Sequence, residues 1–294
     1  MATPTNSYTL PSHLEGDGTR LDLQHEVFRL LLNNNLLSTP TPASFSGQVL
    51  DLGTGTGLWA AEFAAEHPHA TVLGIDLFPP STTPVPANCA FRALDAEKDA
   101  DWDLPDAAFD LIHTRMFLFL LRDPRAMLRR CLAALRPGGR IECQEIQQPY
   151  RTEDGPEGED TPVLRMARLR VEAARRCGLD RAVTGRLAGL VEEVGFGEVQ
   201  VEEKRIPVGP WMEGERMKEA GEKYRQCMRL GMVAFTKTVF MKGLGWTEEQ
   251  VLEACDEAVR DLGNGRVYAP IKIVVATKPA SSSLPAASAD SPLV

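Results

Sequence analysis

The sequence contains no closely spaced cysteines. Its six cysteines lie at least twelve residues apart, and none forms a C-x-x-C pair. Compact zinc and iron–sulfur motifs use such pairs, so we predict no metal site. The same scatter is not typical of a disulfide framework and indicates a reducing compartment. We therefore expect a cytoplasmic protein.

Long apolar runs and an excess of basic residues are also missing. There is no run of about eighteen apolar residues and no apolar segment near Met1, which disfavours membrane spanning and secretion. The chain has 32 Lys and Arg against 41 Asp and Glu, a net charge of −9. Duplex nucleic acid needs a basic face. We therefore expect neither a membrane nor a nucleic acid as partner.

The most informative feature that is present is a glycine-rich segment. Residues 49–57 read VLDLGTGTG, and Asp76 follows about twenty residues later at the end of a second apolar stretch. The glycines allow a tight turn and close approach of a ligand to the backbone. The helix predicted from Leu58 directs its N-terminal N–H groups toward that ligand. A carboxylate at position 76 is placed to accept hydrogen bonds from a ribose diol.

The spacing of this segment separates two classes of cofactor. A dinucleotide fingerprint reads G-x-G-x-x-G, but Leu58 stands where its third glycine would be, and Asp51 precedes the first glycine by two residues. A carboxylate at that place suits an ammonium group better than an anionic pyrophosphate. Residues 51–57 resemble motif I of the class I S-adenosylmethionine (SAM) dependent methyltransferases. A nicotinamide oxidoreductase is correspondingly disfavoured.

Three further segments extend the resemblance over roughly residues 45–150. Residues 91–96 (FRALDA) resemble the family's motif II, and residues 109–115 (FDLIHTR) resemble its segment at the fourth strand. Residues 135–142 (LRPGGRIE) resemble the turn before its fifth strand. Several motifs in the family's order are more specific than one glycine-rich turn.

A narrower resemblance points to filamentous-fungal methyltransferases related to the secondary-metabolism regulator LaeA. Residues 20–25 (RLDLQH), 112–115 (IHTR) and 141–145 (IECQE) carry it. That group includes both regulators and tailoring enzymes of biosynthetic clusters. The resemblance implies that the N-terminal helix with Gln24 and His25 lies over the cofactor.

The resemblance also implies how SAM would be held. The glycine-rich turn would cradle the methionine moiety, Asp51 would reach the ammonium, and Asp76 would bind the ribose. The predicted cofactor residues are Asp51, Gly53, Thr54, Gly55, Gly57, Asp76, Leu77, Asp95, Ala96 and Arg115. In this set Leu77 packs on the adenine, Asp95 and Ala96 meet its edge, and Arg115 pairs with the cofactor carboxylate. Four alternatives remain: capping of a turn by Asp51, capping of a helix by Asp95, ordinary core packing for Leu77 and a structural ion pair for Arg115.

Methyl transfer from a sulfonium mainly needs proximity and alignment. A base helps where the acceptor is a hydroxyl or a protonated amine, and His113, Glu145 and His25 are the candidates. A carboxylate acceptor would need none. Two candidates have an ordinary alternative: His25 as a packed residue of an amphipathic helix, and Glu145 as a solvated strand end. His113 and Thr114 face opposite ways along their strand, so both cannot be assigned to the pocket.

Apolar stretches alternate with helical patterns, which predicts an α/β fold with a doubly wound, mostly parallel sheet and helices on both faces. We predict seven strands, at 49–52, 71–76, 89–93, 109–114, 140–145, 198–206 and 267–277, with a turn at 137–139. The helices are predicted at 21–37, 58–66, 124–135, 163–177 and 186–194. The resemblance implies that this sheet is Rossmann-like, and ligands then lie outside the carboxyl ends of its strands.

The chain divides into five predicted parts. An N-terminal arm and cap helix (1–44) precede the SAM-binding core (45–206), and a helical insertion (207–266) precedes the last core strand (267–278). Residues 279–294 are rich in Ser, Ala and Pro and predict a disordered tail. A two-residue hairpin would join two antiparallel strands, so an insertion of this length either covers substrate or mediates dimerisation.

The predicted insertion is rich in methionine and aromatic residues. Such side chains provide an adaptable apolar surface, here Trp211, Met212, Met217, Tyr224, Met228, Met232, Phe235 and Phe240. Most are expected to pack the insertion onto the core, and some to line an apolar substrate pocket. Thr247 and Gln250 have the spacing of a capping box and predict a helix start.

Three functions fit these motifs. The first is a methyltransferase that acts on a small-molecule acceptor of fungal secondary metabolism. The second is a LaeA-like regulator that works in the nucleus through a protein partner. The third is a methyltransferase fold that binds SAM but catalyses non-methyl chemistry. A homodimer is also compatible with the sequence.

Overall fold

The computed structural model describes residues 17–80, 85–98, 102–155 and 160–280. The predicted N-terminal arm before Asp17 and the predicted tail after residue 280 lie outside these ranges. The helices, numbered along the chain, are α1 Asp17–Leu31, α2 Leu58–Glu66, α3 Pro124–Ala134, α4 Pro162–Arg176, α5 Leu187–Val194, α6 Glu215–Val239 and α7 Glu248–Asp261. No helix in the described ranges has both the length and the apolar character needed to cross a bilayer.

The strands form a single sheet. They are β1 Gln48–Leu52, β2 Thr71–Asp76, β3 Cys89–Ala93, β4 Phe109–Arg115, β5 Leu135–Ile146, β6 Arg151–Thr152, β7 Gly197–Pro207 and β8 Val267–Thr277. The pairs β3–β2, β2–β1, β1–β4 and β4–β5 are parallel, and β8 lies antiparallel between β5 and β7. The predicted doubly wound, mostly parallel sheet is confirmed.

The eighth strand adds little to the seven that were predicted. β6 and β7 both pair with Tyr268 of β8 and therefore lie on opposite sides of it. β5 also lies opposite β7, so β5 and β6 pair with the same side of β8, one after the other along that strand. They fall in a segment whose sequence predicts a loop.

Helices cover both faces of the sheet because the buried strands place alternate side chains on opposite faces. On β1, Val49 packs in one cluster with Trp59 and Phe63 of α2. Its neighbour Leu50 joins another cluster with α3 and α5. A third cluster unites α1, α4, α6, α7 and β8.

Two element boundaries differ most from the prediction. Helix α1 ends at Leu31 and not at residue 37, because Asn33 and Asn34 take left-handed conformations (φ 56° and 65°) and the Asn34 N–H donates to the Arg29 carbonyl. Strand β5 begins at Leu135, so the predicted turn at 137–139 lies within it. A register shift against β4, with Gly138 at φ 79°, accommodates that segment in the strand.

The segment 207–266 is helical, as predicted. It contains α6 and α7, joined by a π-helical turn at Phe240–Leu244, and the capping box of Thr247 and Gln250 is present. Residues of α6 and α7 share a hydrophobic cluster with α1, α4 and β8. The segment therefore packs on the core and does not project from it.

Candidate active site

The glycine-rich turn lies between β1 and α2, at the carboxyl end of the sheet. Gly53, Gly55 and Gly57 all have positive φ, at 78°, 56° and 79°. A Cβ on Gly53 would lie 2.5 Å from the Phe117 ring. The N–H groups of Gly53 and Thr54 donate to the Ile75 carbonyl of β2, at 2.9 and 3.0 Å. Backbone conformation and crowding therefore both require glycine in this turn.

Asp76 ties the turn to the end of β2. Its Oδ2 accepts a hydrogen bond from the Gly55 N–H at 3.0 Å, and its Oδ1 accepts one from the Phe78 N–H at 3.1 Å. A carboxylate has about four lone-pair sites, so two acceptor positions remain for a diol. The side chains of Leu77 and Phe78 beside it are 48% and 45% exposed, and they form an apolar surface at the rim.

Asp95 lies next to Asp76, because β3 pairs with β2 and the Leu94 N–H donates to the Asp76 carbonyl at 2.9 Å. Its Oδ1 accepts from the Glu97 N–H at 3.2 Å, and its Oδ2 lies 3.2 Å from Lys98 Nζ. These contacts are those of a capped turn, the ordinary alternative for this residue. The contacts leave lone pairs on both carboxylate oxygens of Asp95. The next residue, Ala96, is buried.

Asp51 and His113 form a buried pair beneath the turn. His113 Nδ1 lies 2.7 Å from Asp51 Oδ1, and Thr54 Oγ1 donates to Asp51 Oδ2 at 2.6 Å. The imidazole stacks on Trp59 at 3.8 Å and is 1% exposed. His113 is therefore a buried residue that packs on Trp59, and its role as a base stays a prediction. Each Asp51 oxygen has one protein partner, which leaves lone pairs for an ammonium, so that contact also stays a prediction.

His25 connects α1 to the core through a chain of polar contacts. Its Nε2 lies 3.0 Å from Glu62 Oε2, and its Nδ1 lies 2.8 Å from Arg115 Nη2. Burial, followed by the charges of Arg115 and Arg29, lowers the pKa of His25 to about 3. A guanidinium only donates, so Nδ1 accepts and the Nε2–H donates to Glu62. A neutral imidazole with its lone pair engaged is a poor general base. The role of His25 as a base stays a prediction.

Arg115 ends β4 and lies against α1. Its guanidinium lies 5.1 Å from the Phe28 ring centroid, besides donating to His25. Burial lowers the pKa of Arg115 to about 10, while Asp51 and Glu62 oppose that shift. The group is therefore cationic at neutral pH. Its pairing with a cofactor carboxylate stays a prediction.

Glu145 near the end of β5 is fully buried and not a solvated strand end. Its Oε1 accepts from the N–H groups of Phe117 and Leu118, at 3.1 and 2.9 Å, and Oε2 has no partner among the described residues. Burial raises the pKa of Glu145 to about 7 despite these hydrogen bonds. The residue fixes the segment that follows β4. Its burial rules out the solvated strand end, and its role as a base stays a prediction.

A cleft opens beside the turn, at the carboxyl ends of β4 and β5. It encloses about 670 Å³ including its open mouth, and Met116 and Ile146 form its floor. Of the apolar residues expected in the insertion, Tyr224, Met228 and Phe235 of α6 line it. Met232 and Phe240 are instead buried in the core. The insertion therefore forms one wall of the cleft.

The polar lining of this cleft is absent from the predicted site. It consists of Arg20, Gln24, Gln148, Tyr150, Arg170, Arg181 and Tyr224. The two tyrosine hydroxyls lie 2.7 Å apart, and the Tyr150 hydroxyl also contacts Met228 Sδ at 3.0 Å. These residues come from distant parts of the chain, and no local spacing links them. None of the three predicted bases lines the cleft. Within the described ranges, no three His, Cys, Asp or Glu side chains are grouped to hold a metal.

Comparison with known proteins identifies the family. The sequence profile of a methyltransferase domain matches residues 22–201, which include the glycine-rich turn and all three further motifs. The chain belongs to this methyltransferase family. The resemblance predicted from the motifs is confirmed.

Curated relatives of this methyltransferase are fungal. Methyltransferase pytC of Aspergillus terreus is 35% identical over 83% of this chain and 74% of its own length. The secondary metabolism regulator laeA of Aspergillus fumigatus is 28% identical over 92% of this chain and 73% of its own. Among solved structures, the [4+2]-cyclase SpnF superposes with a TM-score of 0.51 at 16% identity, covering 87% of this chain and 81% of that one. That likeness shows the shared fold.

Proposed function

We propose that this methyltransferase uses SAM to methylate a small-molecule acceptor, a fungal secondary metabolite. The observation that carries the proposal is the glycine-rich turn, held by Asp76 at the sheet rim and adjoining a largely apolar cleft. The similarity to pytC supports an enzyme over a structural protein. No requirement for a metal is proposed.

The residues of the turn fit the parts of SAM. Asp76 retains acceptor positions for the ribose hydroxyls, and the exposed Leu77 and Phe78 would be covered by the adenine. A Cβ on Gly55 would contact Leu21 of α1, at 3.5 Å, so α1 closes over the turn without filling it. The expectation that the N-terminal helix lies over the cofactor agrees with this contact. Arg115 would complete the site as the cation for the carboxylate.

The contribution of the chain to catalysis is mainly positional. When bound, SAM supplies a methyl group on a sulfonium that is already a good leaving group. Met116 and Phe119 follow β4 directly and line the cleft, so an acceptor there would lie beside the turn. Glu145 fixes this segment through two backbone N–H groups. Most of the rate enhancement would come from holding SAM and the acceptor in this arrangement.

The first test is calorimetric titration with SAM, S-adenosylhomocysteine and NADH. We expect SAM and S-adenosylhomocysteine to bind and NADH not to bind. Asp76→Ala should weaken both by at least about tenfold, because it removes ribose acceptors and leaves the N–H of Gly55 unpaired. Asp256→Ala, on the exposed face of α7, is the matched control and should bind normally. A folded wild-type protein that binds neither nucleoside would overturn the proposal.

A second candidate function is regulation, which the laeA relatives favour. Such a protein would act in the nucleus through a partner, whereas an enzyme would act in the cytoplasm on its acceptor. Complementation of a deletion strain separates the two. Asp76→Ala should fail to restore the metabolite if methylation is the function, and would restore it if the chain acts as a SAM-independent scaffold.

Product analysis addresses the third alternative. Acceptor conversion with stoichiometric release of S-adenosylhomocysteine is expected for a methyltransferase. Conversion without that release would indicate non-methyl chemistry on the same fold. Labelled SAM with metabolite extracts provides the screen.

A further inference from the structure

The cleft is cationic although the chain as a whole is acidic. The protein has nine more acidic than basic residues. The described residues that line the cleft nevertheless include three arginines and no aspartate or glutamate. The arginines come from α1, from α4 and from the segment after α4. Three cations that converge on one apolar cleft from separate elements form a different electrostatic environment from the surrounding surface.

Arg170 contributes a charge whose described partners are all neutral. Its Nε donates to Thr236 Oγ1 at 3.0 Å, and its Nη2 donates to Met232 Sδ at 2.6 Å. Thr236 is itself held, since its hydroxyl donates to the Met232 carbonyl at 2.6 Å. A guanidinium has five N–H donors in a rigid fork. The α6 contacts therefore orient Arg170 without neutralising it.

The other two arginines are fixed by aromatic rings. Arg20 lies 4.6 Å from the Phe235 centroid, and Arg181 lies 5.1 Å from the Phe119 centroid. Both are almost fully buried, with exposed fractions of 6% and 9%. Stacking on an aromatic face holds a guanidinium plane in place. These two arginines therefore shape the cleft, and the proposal rests on Arg170.

The remaining walls select for an apolar body on the ligand. Met116, Ile146, Val171 and Met228 line the cleft, and the paired hydroxyls of Tyr150 and Tyr224 satisfy each other. We propose that the cleft recognises an amphipathic anion, in which a carboxylate or a similar planar anionic group on an apolar body is bound by Arg170. This inference rests on the proposed function, since the cleft is the acceptor site only if the adjoining turn binds SAM.

The experiment compares 2-naphthylacetate with 2-naphthylacetamide, two probes of nearly equal shape that differ in charge. Their binding to the full chain, saturated with S-adenosylhomocysteine, is measured by calorimetry. We expect the acid to bind at least about tenfold more tightly, because hydrogen bonds to charged groups are the stronger ones. In Arg170→Gln the ratio should fall close to one. Arg168→Gln, an exposed position on the same helix with the same charge change, should keep the wild-type ratio.

Four results would overturn the inference. One is equal affinity for the two probes in the wild type, and another is an unchanged preference in Arg170→Gln. The third is absence of acid binding at millimolar concentration. The affinity for S-adenosylhomocysteine, measured separately, should be unchanged in Arg170→Gln. A loss there would assign Arg170 to the cofactor carboxylate and overturn the inference as well. Failure of the wild type to bind S-adenosylhomocysteine would instead overturn the proposed function. The ratio of the affinities for the two probes, measured without S-adenosylhomocysteine, would still test the cleft.

Discussion

Replacement of Gly57 by alanine tests the packing of the glycine-rich turn, and Gly138 provides a matched control. Both glycines have a φ of 79°. A Cβ on Gly57 would overlap the Phe91 ring and lie 2.8 Å from Pro80 Cγ, whereas a Cβ on Gly138 meets nothing within 4 Å. An alanine therefore has to adopt the same left-handed φ at both sites. The difference in stability between the two variants then measures the cost of the steric overlap at position 57.

The left-handed conformation costs an alanine about 1–2 kcal/mol. Inserting a methyl group into a packed site adds about 1–3 kcal/mol. The Phe91 ring cannot move away freely, because it also lies against Gly74, where a Cβ would be 2.6 Å from it. We expect Gly138→Ala to lower the free energy of unfolding by about 1–2 kcal/mol and Gly57→Ala by about 2–5 kcal/mol. The lower entropy of the unfolded alanine chain affects both variants equally.

Urea denaturation followed by circular dichroism measures the difference. With a slope of about 2–3 kcal/mol/M, a gap of roughly 2 kcal/mol moves the midpoint by on the order of 1 M. Gly57 also precedes the first residue of α2, so its variant should weaken binding of S-adenosylhomocysteine, which Gly138→Ala should not. Equal midpoints for the two variants, or a larger loss in Gly138→Ala, would refute the reasoning.

Two other substitutions test buried polar groups. Burial raises the pKa of Glu145 from its ordinary 4.5 to about 7, so the native state keeps a proton that the unfolded chain releases between these values. Stability should therefore fall by roughly 3 kcal/mol as the pH rises from below 4.5 to above 7. Glu145→Gln should flatten that slope in urea titrations at several pH values, and an unchanged slope would contradict the assignment. Tyr150→Phe leaves the Tyr224 hydroxyl without its buried partner and should lower stability by about 1–3 kcal/mol. Adding Tyr224→Phe should cost less than the sum of the single losses, and strict additivity by chemical denaturation would argue against the pair.

The glycine-rich turn was predictable because the residues that determine its conformation are contiguous in the sequence. Three glycines within five residues specify positive φ, and the next strand ends at Asp76. The parallel topology then places the ends of β1, β2, β3 and β4 at one edge, as the alternation of strands and helices predicts. Local patterns and a general topological rule suffice for this half of the site.

The roles of the predicted bases depend on pairings between distant residues. Asp51 lies opposite His113 in the register of β1 and β4, which gives a carboxylate expected to face an ammonium an imidazole partner as well. His25 loses basicity because the fold buries it and places Arg115 against it. Neither register nor burial is encoded at those positions alone. A histidine or glutamate at a strand end is therefore weak evidence for a base.

The cleft lined by the three arginines shows why the net charge of a chain is a poor predictor of the charge at one site. A net charge of −9 argues against polyanions, which meet the whole surface over many contacts. A small ligand enclosed in a cleft instead experiences the nearest groups, because charges beyond about 10 Å in solvent are screened. Arg20 and Arg181 lie about 160 positions apart in the sequence, and only the packing of α1, α4 and α6 brings them together with Arg170. The net charge of the chain is therefore no argument against the small anionic ligand proposed for the cleft.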